Sequence, residues 1–160
     1  MKRSIFDLSP QEILALAIRI EENNAERLQS LVNLYADYNE SVSEYFSKLK
    51  QEELQHQALL EEKWSESYGD QKLPEINEDN VREVVEAVEV ENGEHILFDD
   101  ITLKEALKMV HDAETAAYRF YLQAATAVKD MNVKNLFSEL ARMEFSHLES
   151  IPRFEASKHK

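Results

Sequence analysis

Residues 52–57 read EELQHQ, and residues 143–148 read MEFSHL. Each contains a glutamate and a histidine three apart, Glu53 with His56 and Glu144 with His147. On an α-helix two such residues share a face, so each motif aims one carboxylate and one imidazole in the same direction. Whether that direction is inward depends on the apolar pattern around each motif, which therefore decides the fold.

Both motifs sit on an apolar stripe. Around the first it runs Val42, Tyr45 and Phe46, Leu49, (Glu53), (His56), Leu60; around the second, Val133, Phe137, Leu140, (Glu144), (His147), Ile151, Phe154. Steps of three and four are the signature of a helix with one buried face. Two further segments have the same character, each with one glutamate on its stripe. The first carries Leu14, Ala17, (Glu21), Leu28, Leu31 and Tyr35, and the third Leu103, Leu107, Val110, (Glu114), Tyr118, Tyr121, Ala125 and Val128. No lysine or arginine interrupts any of the four stripes.

Start signals delimit the helices. Ser9-Pro10-Gln11-Glu12 combines an N-cap serine, proline at the first helical position and a capping-box glutamate. Ser41 to Glu44 and Thr102 to Glu105 have the capping-box pattern, and Asp130 is a fourth N-cap. These signals predict helices over about 10–38, 41–67, 102–129 and 131–151, with Pro152 bending or ending the last. The short links within each pair force two antiparallel hairpins.

Residues 68–101 differ in composition, holding both glycines and Pro74. They read as a crossover. Val81, Val84, Val85 and Val88 have helical spacing, while the segment about Asn92-Gly93 also suits a small hairpin, and both readings stand.

The expected architecture is all-α, a single-domain four-helix bundle of two hairpins joined by a long crossover. Two glycines and three prolines in 160 residues fit long helices. Glu21 and His56 lie at similar distances from a turn near Asn39, each roughly 26 Å along the axis at about 1.5 Å per residue. Glu114 and His147 are levelled in the same way about Asp130. The two hairpins are offset by 93 residues at the single glutamates (114 − 21) and by 91 at the Glu-x-x-His pairs (144 − 53), which reads as an internal duplication or convergence on one geometry.

With the crossover long enough to traverse such a bundle, six side chains are expected to meet: Glu21, Glu53, His56, Glu114, Glu144 and His147. Four ionised carboxylates in an apolar interior cost on the order of several kcal/mol per uncompensated charge. Two divalent cations would balance them, with neutral imidazoles completing the donor set. One Glu-x-x-His on one helix is a weak signal; the specificity lies in the four stripes together.

These motifs resemble the ferritin-like di-iron carboxylate proteins, and among them the rubrerythrin-like group, over residues 10–67 and 102–151. The resemblance implies two iron ions, with Glu21 and Glu114 as terminal or bridging ligands, Glu53 and Glu144 bridging, and His56 and His147 binding one ion each. It further implies a redox protein reacting with dioxygen or hydrogen peroxide, of ferroxidase or peroxidase type, or a store or carrier of iron within an oligomer. Manganese and zinc suit the same donors. The chain departs from the pattern in three places. Ala117 stands where rubrerythrins carry a further glutamate, Leu54 where bacterioferritins carry a haem methionine, and there is no cysteine for a rubredoxin-type module, so electrons would come from an external donor or from iron itself. A metal-free structural bundle is the alternative, and it requires the buried carboxylates to be protonated or paired with a base.

A formal net charge of −14 disfavours nucleic acid and anionic membranes as partners. No stretch has signal-peptide or membrane-spanning length, so a cytoplasmic location is expected, with a homodimer or higher homo-oligomer as the ordinary assembly. Other residues invite a role. Tyr121 suits core packing or a contact with a ligand, Glu52 could orient a histidine although its counterpart is Met143, and Trp64 suits the end of the bundle. His111, His95 and His159 read as solvent-facing, and Glu86, Glu89, Glu91 and Glu94 as a solvated acidic segment.

Overall fold

The computed structural model describes residues 2–37, 39–82 and 102–158. Among them are four long α-helices: α1 (Pro10–Tyr35), α2 (Glu40–Tyr68), α3 (Leu103–Ala127) and α4 (Met131–Ser157). There is no strand among the described residues, and the chain has the all-α, two-hairpin make-up of a four-helix bundle. The crossover readings at Val84, Val85, Val88 and Asn92-Gly93 lie outside the described residues, as do His95, His159, Glu86, Glu89, Glu91 and Glu94.

Two units divide the chain, one from Asp7 to Glu78 and one from Asp79 onward together with the residues up to Phe6. The first unit is the α1–α2 hairpin. Ser9 caps α1, accepting from the Glu12 amide at 3.1 Å while its own amide donates to Glu12 Oε1 at 3.0 Å. Contacts between the helices pair Val32 with Ser43, Gln29 with Lys50 and Glu22 with Gln57, so one index falls as the other rises and the helices are antiparallel. Leu14, Leu28 and Leu31 from α1, and Val42, Phe46, Leu49 and Leu60 from α2, are all buried. This is the face that the stripes single out.

The start of α2 corrects the expectation. Its N-cap is Asn39, whose side-chain oxygen accepts from the Val42 amide at 3.4 Å, while Ser41 lies inside the first turn. Asparagine is as good a cap as serine, and a cap two residues earlier lengthens α2 by about half a turn. The other end is set by Gly69, whose φ of 64° lies where side chains strain and whose amide donates to Ser65 O at 2.9 Å. Trp64 closes this end, its indole N–H donating to Gln71 O at 2.9 Å. Glu78, beyond it, accepts from Asn23 of α1 and lies 3.9 Å from Arg19, which ties the first part of the crossover to the hairpin.

The second unit holds α3 and α4, capped by Thr102 and Asp130 as expected. Tyr121 packs at 5.4 Å from the Phe120 ring and 5.9 Å from Phe137, centre to centre, in a buried aromatic group. This is the core packing expected of it. Helix α4 runs through Pro152 to Ser157 instead of ending at 151. A proline inside a helix costs about 3 kcal/mol, but Ile151 is buried and Phe154 half-buried, and side chains take up neighbouring carbonyls. Ser150 Oγ donates to His147 O, and Arg153 Nε to Glu149 O. In the same unit Arg3 and Val81 form an isolated parallel bridge, with bonds of 2.8 and 3.0 Å.

Candidate metal centre

Nine polar or charged residues are buried among the described ones: Glu21, Asn24, Ser43, Glu53, His56, Glu78, Glu114, Glu144 and His147. All six residues singled out from sequence are in this set, and no lysine or arginine is. Ordinary folding disfavours this result, because a carboxylate out of water needs a compensating charge or a proton.

In the first hairpin α1 supplies Glu21 and α2 supplies Glu53 and His56. His56 Nδ1 lies 3.6 Å from Glu21 Oε1 and 3.5 Å from Glu53 Oε1. Both carboxylates are fully buried and the imidazole nearly so. In the second hairpin α3 supplies Glu114 and α4 supplies Glu144 and His147. Here His147 Nδ1 lies 3.0 Å from Glu114 Oε2 and 3.6 Å from Glu144 Oε2. The structure thus brings together each hairpin's predicted Glu, Glu and His, in matching arrangement.

Electrostatics show what these donors need. Burial raises Glu114 well above its ordinary value of 4.5, the Glu144 carboxylate raises it further by charge and by a hydrogen bond, and His147 pulls the other way. Its ionised form is therefore short of positive charge. A divalent cation would meet that need, since two carboxylates and an imidazole on one face are hard and borderline donors of the kind such ions take. On donor chemistry the residues fit a metal.

Among the buried polar residues that sequence reasoning missed, Asn24 touches a predicted donor. It lies three after Glu21 on the same face of α1, and its Nδ2 donates to Glu53 Oε2 at 3.4 Å. The signal was the gap in the first stripe between Glu21 and Leu28, where a helical step falls on position 24. Ala117, at the matching place in α3, is buried. His111 is solvent-facing as expected, 3.7 Å from Asp112. Glu52 is half-buried beside the motif on α2.

Comparisons with known proteins accord with this picture. Two solved structures share the fold: an uncharacterised conserved protein from Magnetospirillum magnetotacticum (TM-score 0.71, 23% identity, covering 92% of this chain and 93% of that one) and a hypothetical protein from Pyrococcus furiosus (TM-score 0.68, 23% identity, 92% and 88%). No curated protein matches. The family model described as Rubrerythrin matches residues 12–155, a span that holds all four helices but for their outermost residues, and all six buried donors. This chain belongs to the rubrerythrin family.

Proposed function

We propose that the two triads hold two iron ions and that the protein is a redox protein acting on dioxygen or hydrogen peroxide. The observation that carries this reading is the burial of these four glutamates and two histidines with no buried lysine or arginine among the described residues. Iron, in preference to manganese or zinc, comes from family membership. Bound iron would supply the one-electron redox chemistry at these donors.

The residues do the rest. Glu21, Glu53 and His56 form one donor set, and Glu114, Glu144 and His147 the other. Before metal enters, His147 and Glu114 share a hydrogen bond of 3.0 Å whose proton a cation must displace. Metal uptake is therefore accompanied by proton release. The apolar side chains around both triads keep bulk water away, which strengthens charge interactions inside. Ala117 leaves α3 without a carboxylate one turn beyond Glu114, so the six donors are the whole ligand complement of this reading.

Iron oxidation followed under oxygen and under peroxide, alongside particle size in solution, tests the reaction. Faster oxidation by one oxidant, with release of all the iron to a chelator afterwards, supports the redox role. Retention of many ferric ions per chain in a large assembly would instead establish storage.

A further inference from the structure

The first hairpin contains a polar chain that the second cannot reproduce. Arg27 Nη1 donates to Asn24 Oδ1 at 3.3 Å, and Asn24 Nδ2 donates to Glu53 Oε2 at 3.4 Å. Arg27 is half-buried and Asn24 is 5% exposed. The donors fix the amide's orientation, with its oxygen toward the guanidinium and its NH2 toward the carboxylate. Glu53 is thereby held at one oxygen by Asn24, while its other oxygen lies 3.5 Å from His56 Nδ1. In the second hairpin the matching positions, three and six after Glu114, are Ala117 and Phe120, both buried.

A buried asparagine is expensive where a small apolar residue would complete the stripe, as Ala117 does. Its placement makes sense if the carboxylate must be oriented. An arginine in direct contact with Glu53 would compete with a cation for the same charge; an amide placed between them passes on the guanidinium's polarisation without delivering a positive charge to the donors.

We propose that Asn24, with Arg27 behind it, is a positioning residue that holds the Glu53 carboxylate in one orientation and so raises the metal affinity of the first hairpin's donors, a support that Ala117 and Phe120 cannot give the second. This rests on the two-ion reading above. The halves are then inequivalent, and the ion served by the first hairpin binds more tightly.

Co(II) is the probe, since it binds such donors without reacting with oxygen on the timescale of a titration and reports its ligands in the visible spectrum. The unaltered protein takes up two Co(II) per chain in two resolved steps. His56→Ala removes the tighter step and His147→Ala the weaker. Asn24→Leu, close in shape, weakens the tighter step about tenfold, the low end for outer hydrogen-bond partners because the bond is long. It also alters that ion's visible spectrum. Arg27→Gln, acting through the amide, weakens the same step about threefold, and the double variant is no weaker than Asn24→Leu alone. A merely structural asparagine would not transmit the Arg27 effect. Arg27→Gln changes a half-exposed position, so the test stays decisive if Asn24→Leu does not fold. Two ions bound with equal affinity, or an unchanged tighter step in either variant, would overturn the inference and leave the two-ion reading intact. Uptake of fewer than two ions by the unaltered protein would overturn both.

Discussion

Glu114 shows how one side chain carries information about function. Its burial beside Glu144 raises its pKa, so between the unfolded and folded values the folded state holds a proton there that the unfolded chain has released. The sign follows from linkage. Stability from this group is fully present below about 4.5 and is lost as pH rises through the higher folded-state pKa. Metal-free Glu114→Gln, which cannot ionise, should therefore be more stable than the unaltered protein at neutral pH, and the gap should close as pH is lowered toward 4.5. Urea unfolding across that range measures it; a gap that widened on acidification would contradict the electrostatic picture. Metal reverses the sign of the substitution, because Glu114→Gln loses a donor. Dye-monitored proton release on Mn(II) addition should accordingly be smaller in Glu114→Gln than in the unaltered chain. The six donors were legible in the sequence because each occupies a place where a helical stripe calls for an apolar residue. Asn24 was not, since an isolated asparagine on a helix face is ordinarily at the surface, and only the fold reveals that its neighbour is a carboxylate.

At the level of elements the apolar spacing read out four helices and their pairing, and local chemistry blurred the ends. Two caps compete at the start of α2, and sequence alone does not rank Asn39 against Ser41, because the choice depends on how much of the first turn packs on α1. The structure makes a sharp expectation: Asn39→Ala should cost about 1 kcal/mol in thermal or urea unfolding, while Ser41→Ala should be close to neutral. Equal costs would place the cap elsewhere. Pro152 is a similar case, where a strong local signal loses to burial of Ile151 and to side chains that satisfy neighbouring carbonyls. Packing dominates the interior of each hairpin. Phe46→Ala and Phe137→Ala, each emptying a fully buried site, should destabilise by about 3–5 kcal/mol.

For the whole molecule, the proposed function gives one strongly negative chain two similar hairpins and two ions. Acidity of −14 over 160 residues concentrates cations around the chain and leaves the buried donors to select among them. Because ions bind only the folded state, saturation should raise stability by about 2.7 kcal/mol at a hundredfold excess over the dissociation constant, read as a rise in unfolding midpoint that depends on metal concentration. The central claim is tested most directly by anaerobic titration of metal-free protein with Fe(II). Saturation at two ions per chain, falling below two in Glu53→Ala and His147→Ala variants that keep the α-helical circular-dichroism spectrum, is the predicted result. No stoichiometric uptake, or full uptake by either variant, would contradict it.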